Sequence, residues 1–356
     1  MSFSETVFLT GFPGFIAERL VARLARSDVQ FFLLVQPKFV ETATKAVERI
    51  ANDMNVPLEN FALVTGDISL PDLGVSADDL EIIRDETTEI YHLAAVYDLA
   101  VDKEVAYKVN LQGTRNVNDL ARSAGRLRRY NYISTCYVAG KRLGQILETD
   151  LVHDAGFRNH YEETKYLAEI EVEKLKEELP VTIFRPAVVV GDSKTGETAK
   201  YDGIYYLIHY IRKAPSLLRF VNVGNDKVRL NLVPVDFVVE GIAELARDEA
   251  AVGKTVALAD PDPLTTAELF DAISASFTGK FSVIHPPAAL VEWSLMLGIT
   301  PKLTGLPHSG VPYFFIEQEY DTAVADELLE AHGIECPDFR DYVGHLIRFV
   351  NTHPDL

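Results

Sequence analysis

Two Tyr-x-x-x-Lys pairs stand in this sequence, Tyr137 with Lys141 and Tyr161 with Lys165. The first follows an apolar run and contains Gly140, so it reads as a loop. The second opens the stretch Tyr161 to Glu178, where positions i and i+4 share one face of a helix. Only the second sets a phenol beside an ammonium. A free tyrosine titrates near ~10, and a neighbouring ammonium favours its phenolate. Such a pair can give a proton to a carbonyl oxygen, or take one from an alcohol, near neutral pH. Lys165 could also hold a nicotinamide ribose. Thr135 follows the run Tyr130-Asn131-Tyr132-Ile133-Ser134 and is the expected holder of the substrate oxygen. Ser134 points to the opposite face. Asn110, on an earlier helix, is expected to kink it and hold a water that completes a proton relay; a helix-surface residue is the alternative. Cys136 could be a thioester-forming nucleophile, but a small buried hydrophobe is the default for a free cysteine. The nine histidines show no paired-ligand spacing, so no metal site is expected.

These side chains need a frame, and the first half of the chain supplies one. Thr6-Val7-Phe8-Leu9, Gln30 to Val35, Phe61 to Val64, Glu89 to Leu93, Tyr130 to Ser134 and Val181 to Phe184 read as six strands. Helices are expected over Phe15 to Arg26, Glu41 to Met54, Lys103 to Ala124 and Tyr161 to Glu178, with Ser76 capping another. Alternating strands and helices predict an α/β fold, a doubly wound parallel sheet of the Rossmann type. The pattern loosens after Gly191. Residues 1–190 and 228–260 are assigned to the dinucleotide-binding domain, and 191–227 and 261–356 to a smaller substrate-binding region. There, Tyr205-Tyr206-Leu207-Ile208 and Val311-Pro312-Tyr313-Phe314-Phe315 could line an apolar pocket or be core.

Thr10-Gly11-Phe12-Pro13-Gly14-Phe15-Ile16-Ala17 joins the first strand to the first helix. Gly11 allows a tight turn, Gly14 lets backbone approach a pyrophosphate, and the helix N-terminus receives its charge. NAD binders place an acid after the second strand. Here Gln36 stands there and Lys38 follows, which favours NADP(H), with NAD(H) as the alternative. Asp67 could accept from the adenine amino group, and Ala94 and Ala95 leave room for the cofactor.

The bulk numbers narrow the partners. A chain of 356 residues with 47% hydrophobic residues can bury a core. A formal net charge of -19 argues against nucleic acid and anionic membrane surfaces. Two cysteines exclude a disulfide scaffold and fit a reducing cytoplasm. No signal-peptide pattern and no spanning apolar stretch is seen, so a cytoplasmic protein with no integral membrane association is expected.

Taken together, Thr10-Gly11-x-x-Gly14, Gly66-Asp67, His92-Leu93-Ala94-Ala95, Asn110 with Gly113-Thr114, Ser134-Thr135, Tyr161-x-x-x-Lys165, Arg185-Pro186 and Val233 to Val238 resemble the extended short-chain dehydrogenase/reductase superfamily. Gly66 to Gly74, Ile133 to Gly140 and Arg185 to Gly196 look most like its branch of fatty acyl-CoA reductases and thioester reductase domains. Ala17 replaces the third glycine, and no basic residue stands at Gln36. The resemblance implies catalysis by Thr135, Tyr161, Lys165 and Asn110. It implies a cofactor lining that takes in Phe12, Pro13, Phe15, Ile16, Ile68, Val96, Pro186, Ala187 and Val188. It implies reduction of an acyl thioester (acyl-CoA or acyl-carrier), aldehyde or ketone. Related enzymes act on sterol- or flavonoid-like ketones or are nucleotide-sugar epimerases and dehydratases; a non-catalytic NADP(H)-binding protein is the alternative outside enzymes. Relatives often form homodimers through the helices over Lys103–Ala124 and Tyr161–Glu178.

Overall fold

The computed structural model describes residues 3–213, 219, 221–284, 286 and 311–354. Parts of the expected substrate region, 214–218 and 287–310, lie outside the described residues. Seven strands form the main sheet: β1 (Glu5–Thr10), β2 (Val29–Val35), β3 (Phe61–Thr65), β4 (Glu89–His92), β5 (Arg129–Ile133), and, after the short β6 (Gly144–Ile146), β7 (Val181–Pro186) and, further on, Thr255–Leu258. Between these last two lie β8 (Val188–Val190) and β9 (Leu232–Pro234), which pair with each other, so Thr255–Leu258 is β10; β11 (Gln318–Tyr320) pairs with β6. The main order is β10-β7-β5-β4-β1-β2-β3, and every neighbour is parallel. The sheet is therefore the doubly wound α/β fold that the alternating pattern predicts. The sequence reading counts six strands; β10 is the addition. It is four residues long and takes its place by pairing with β7, a long-range contact that no local pattern reports.

Both faces are covered, which is why β1 and β2 read as continuous apolar runs. On one face Val7, Leu9, Leu33 and Val35 pack on α1 (Phe15–Leu24), α2 (Val40–Met54) and, much later in the chain, the helix Val235–Leu245. On the other, Phe8, Ile90, Tyr130 and Tyr132 meet α3 (Ala77–Glu86) and the helices that follow it. Ser76 caps α3 by accepting from the Asp79 N–H. The expected helix Lys103–Ala124 is interrupted: α4 (Lys103–Ala106) passes through a π-turn (Tyr107–Gln112) into α5 (Gly113–Ser123). Next comes α6 (His160–Glu173), whose last expected turn is a 3-10 segment, Lys174–Glu177.

A separate core joins α7 (Ile204–Lys213), α9 (Thr266–Thr278) and α11 (Phe339–Thr352) to β8 and β9, with α8 being Val235–Leu245 and α10 Ala323–Glu330. Tyr205 and Ile208 are fully enclosed in this core, so that half of the tyrosine-rich run packs the interior. Ala325, Leu328 and Leu329 of α10 pack instead with the first core, beside α8 and β10.

Candidate active site

The order of strands reverses between β1 and β4, which opens a crevice at the carboxyl edge of the sheet. The glycine loop borders it. Gly11 has φ +96°, a region costly for other residues. A Cβ on Gly11 would lie 3.0 Å from the Ala94 nitrogen, and one on Gly14 would lie 2.7 Å from the Gly11 carbonyl oxygen. Gly14 begins α1 without a side-chain cap, so the first-turn N–H groups stay available for a pyrophosphate. The cradle thus fits a dinucleotide. Gly14→Ala is expected to weaken binding of the reduced nicotinamide dinucleotide at least about tenfold, or ~1.4 kcal/mol, read by fluorescence titration. Wild-type affinity in that variant would count against the cradle.

The other expected cofactor residues divide. The Phe12 side chain is buried in the sheet core, while Pro13 beside it is half-buried. Phe15 carries the Arg19 guanidinium over its ring at 4.2 Å, and Ile16 packs partly against the first core. The Gln36 amide donates to Asp67 Oδ2 at 2.9 Å, and the Ser69 N–H donates to Oδ1 at 2.8 Å. Burial pushes the Asp67 carboxyl up, but these hydrogen bonds outweigh it and hold the group below its ordinary range. Lys38 is exposed, its ammonium over the Phe39 ring. Ile68 is buried against Gly113. Ala94, Ala95 and Val96 leave β4 half-buried along the crevice, while Pro186, Ala187 and Val188 lead from β7 into β8.

Tyr161 lies in the first turn of α6, which Asn159 caps by accepting from the Glu162 N–H. Thr135 begins the 3-10 turn Cys136–Ala139 and accepts from the Tyr137 N–H. Its hydroxyl also hydrogen-bonds the Tyr161 phenol. Burial pushes Tyr161 up to about 12 despite that bond, so the phenol is protonated at neutral pH. This corrects the expectation that Lys165 lowers it. The Lys165 ammonium instead donates to Tyr132 Oη at 2.9 Å and to the Ile133 carbonyl at 2.8 Å. The i,i+4 spacing puts both groups on one face, but that face is pressed onto β5, whose acceptors claim the ammonium. Burial brings Lys165 down to about 7, with Glu169 acting in the other direction.

Asn110 lies where the expected helix is interrupted. It sits in the π-turn, a feature common at functional sites. Its Oδ1 accepts from the Val96 N–H at 2.8 Å, while Nδ2 donates to the Val96 carbonyl at 3.1 Å and to Thr164 Oγ1 at 3.0 Å. Its side-chain donors and one acceptor are thereby committed to clamping the crevice floor to α6 rather than to a water. Cys136 donates from Sγ to the Arg185 carbonyl, and burial pushes its thiol up, away from a nucleophilic thiolate. Tyr137 packs against Tyr313 at 4.7 Å between ring centroids, and Lys141 is exposed beyond Gly140. Among the described residues no group of His, Cys, Asp and Glu is placed to hold a metal ion.

Three clusters escaped the sequence reading. Glu169, one turn beyond Lys165, is fully buried and accepts from Arg185 Nε at 2.9 Å, from Nη2 at 2.6 Å and from the Ser134 hydroxyl. Tyr313 donates to Glu162 at 2.5 Å and accepts from Asn159 at 2.7 Å, which fastens the 311–314 turn to the start of α6. His92 lies between Thr10 and Thr114. The i+4 spacing of Lys165 and Glu169 was a legible signal; the others depend on contacts between distant segments.

A NAD-binding family model described as male sterility protein matches residues 9–242. The chain belongs to the male sterility protein family. Within reach of this family chain, fatty acyl-CoA reductase wat of Drosophila melanogaster is 28% identical over 280 residues, covering 68% of this chain and 54% of that protein. Fatty acyl-CoA reductase 1 of Mus musculus is 30% identical over 275 residues, covering 66% and 53%. The chain therefore spans about half the length of these curated relatives. Among solved structures, the terminal R domain of the myxalamid PKS-NRPS pathway superposes with TM-score 0.81 at 23% identity, covering 100% of this chain and 92% of that one. The R domain of a nonribosomal peptide synthetase from Mycobacterium tuberculosis gives 0.70 at 17%, covering 100% and 94%. These likenesses show the fold of this male sterility family chain to be Rossmann-type. No described helix is long and apolar enough to cross a membrane.

Proposed function

We propose that this protein is an NADP(H)-dependent reductase of an apolar acyl thioester, acting through Tyr161. The observation that carries the reading is Tyr161, at the start of α6, beside Thr135 at the same sheet edge as the glycine cradle. Bound along that cradle, NADPH supplies hydride to the carbonyl carbon. Tyr161 gives its proton to the carbonyl oxygen, which Thr135 orients. Lys165 spends two N–H groups on Tyr132 and Ile133 and keeps a third, the donor assigned to the nicotinamide ribose. Reduction of a thioester by this route gives a hemithioacetal, which collapses to aldehyde and thiol. The absence of an acid at Gln36, with Lys38 beyond it, supports NADPH over NADH. The thioester is supported by the names of the relatives, fatty acyl-CoA reductases among them.

Cofactor consumption by the purified protein tests this, with a long-chain acyl-CoA, its aldehyde and a bulky ketone in parallel, each with NADPH and NADH. NADPH oxidation with the acyl-CoA is the expected result. Activity confined to the aldehyde or ketone would overturn the thioester, and faster NADH oxidation would overturn the cofactor.

A further inference from the structure

The buried groups behind Lys165 form a hydrogen-bond chain whose every proton can be assigned. Thr114 Oγ1 donates to the Asn110 carbonyl at 2.6 Å, which spends its single proton. It therefore accepts from His92 Nε2, 3.0 Å away. The Tyr132 ring lies against His92, with 5.5 Å between ring centroids. With Nε2 carrying the proton, His92 Nδ1 accepts from Thr10 Oγ1 at 2.7 Å. Thr10 Oγ1 in turn accepts from the Ala94 N–H at 3.2 Å. Burial, with the Lys165 charge, holds His92 near 3 and hence neutral, as this order of protons requires. The Tyr132 hydroxyl oxygen faces the Lys165 ammonium and accepts from it.

We propose that Tyr132 is the residue that positions Lys165 for the reaction, its ring held against His92 in a buried spine that runs from Thr114 through His92 to the threonine preceding the glycine loop. The Lys165 ammonium lies 2.9 Å from the hydroxyl oxygen and 4.4 Å from the ring centroid of Tyr132, so one side chain supplies both an acceptor and a π-face. The spine joins four places that the chemistry uses: the glycine loop at Thr10, the crevice floor at Ala94, the π-turn at Asn110 and the lysine itself. Tyr132 is a positioning residue and acts only through Lys165.

The proposal rests on reading Lys165 as the lysine that serves Tyr161, and its test separates the two. The groups facing Lys165 are Glu169 on α6, Tyr132 and the Ile133 carbonyl on β5 and His92 on β4, with Arg185 on β7 bound to Glu169. Tyr132→Phe keeps ring and volume and removes only the acceptor. An acceptor favours the charged ammonium, so its loss is expected to lower the Lys165 titration midpoint by about one pH unit. That midpoint is read by NMR on protein carrying ε-13C-lysine, with the resonance assigned by its loss in Lys165→Met. An unchanged midpoint in a folded Tyr132→Phe protein overturns the proposal and leaves the proposed function standing. A lowered midpoint with an unchanged pH–rate profile upholds the hydrogen bond but shows that Lys165 does not serve the reaction, which overturns its positioning role and that part of the proposed function. A second measurement needs no variant of the spine's tyrosine: imidazole 15N spectra of the wild-type protein should show His92 as the neutral Nε2–H tautomer down to about pH 5. The Nδ1–H tautomer would break the order of protons and overturn the spine.

Discussion

Tyr161→Phe is expected to lower turnover by about 10²–10⁴-fold, the usual cost of losing a general acid, while cofactor binding changes little. The reason is local. The phenol hydroxyl reaches Thr135, and its ring fills a half-buried place on α6 that phenylalanine also fills. With the proton held up to about 12, wild-type Tyr161 remains a donor through neutral pH. Proton donation in the reductive direction should therefore not be lost as pH rises from 6 to about 8. Steady-state NADPH oxidation, with cofactor binding measured separately, checks this. Turnover within a few-fold of wild type would remove Tyr161 from the mechanism.

The second large effect falls on stability. Glu169→Ala should cost about 3–5 kcal/mol, because it leaves the Arg185 guanidinium buried without its carboxylate. Arg185 then keeps only the Glu148 carbonyl, at 3.0 Å from Nη1. The double variant Glu169→Met with Arg185→Leu removes both charges together and should recover most of the loss. Denaturant unfolding of the wild type, both single variants and the double variant gives the comparison. Equal destabilisation in the single and double variants would show that packing, not the stranded charge, carries the effect. The same carboxylate raises Lys165, so any Glu169 variant that folds should also titrate its lysine at lower pH.

Much of the frame is written locally. The runs Val7-Phe8-Leu9 and Phe31 to Val35 are long and apolar enough to declare covered parallel strands, and Gly11 and Gly14 stand where only small residues fit the backbone. Tyr161 and Lys165 meet the helical period. Such features belong to a few neighbouring residues, so the sequence by itself determines them. Other features depend on which segments meet. β10 is too short to announce itself and exists by pairing with β7. Lys165 lies one turn from Tyr161, but its ammonium goes to Tyr132 and Ile133, since the helix face is pressed onto β5 and burial rewards the nearest acceptors. Asn110 was legible as a helix residue with an amide; that the amide clamps Val96, fourteen residues earlier, was not. Desolvation is a property of the assembled fold. Only the tertiary structure could decide that the phenol is held as an acid and that the lysine beside it in sequence turns toward the sheet.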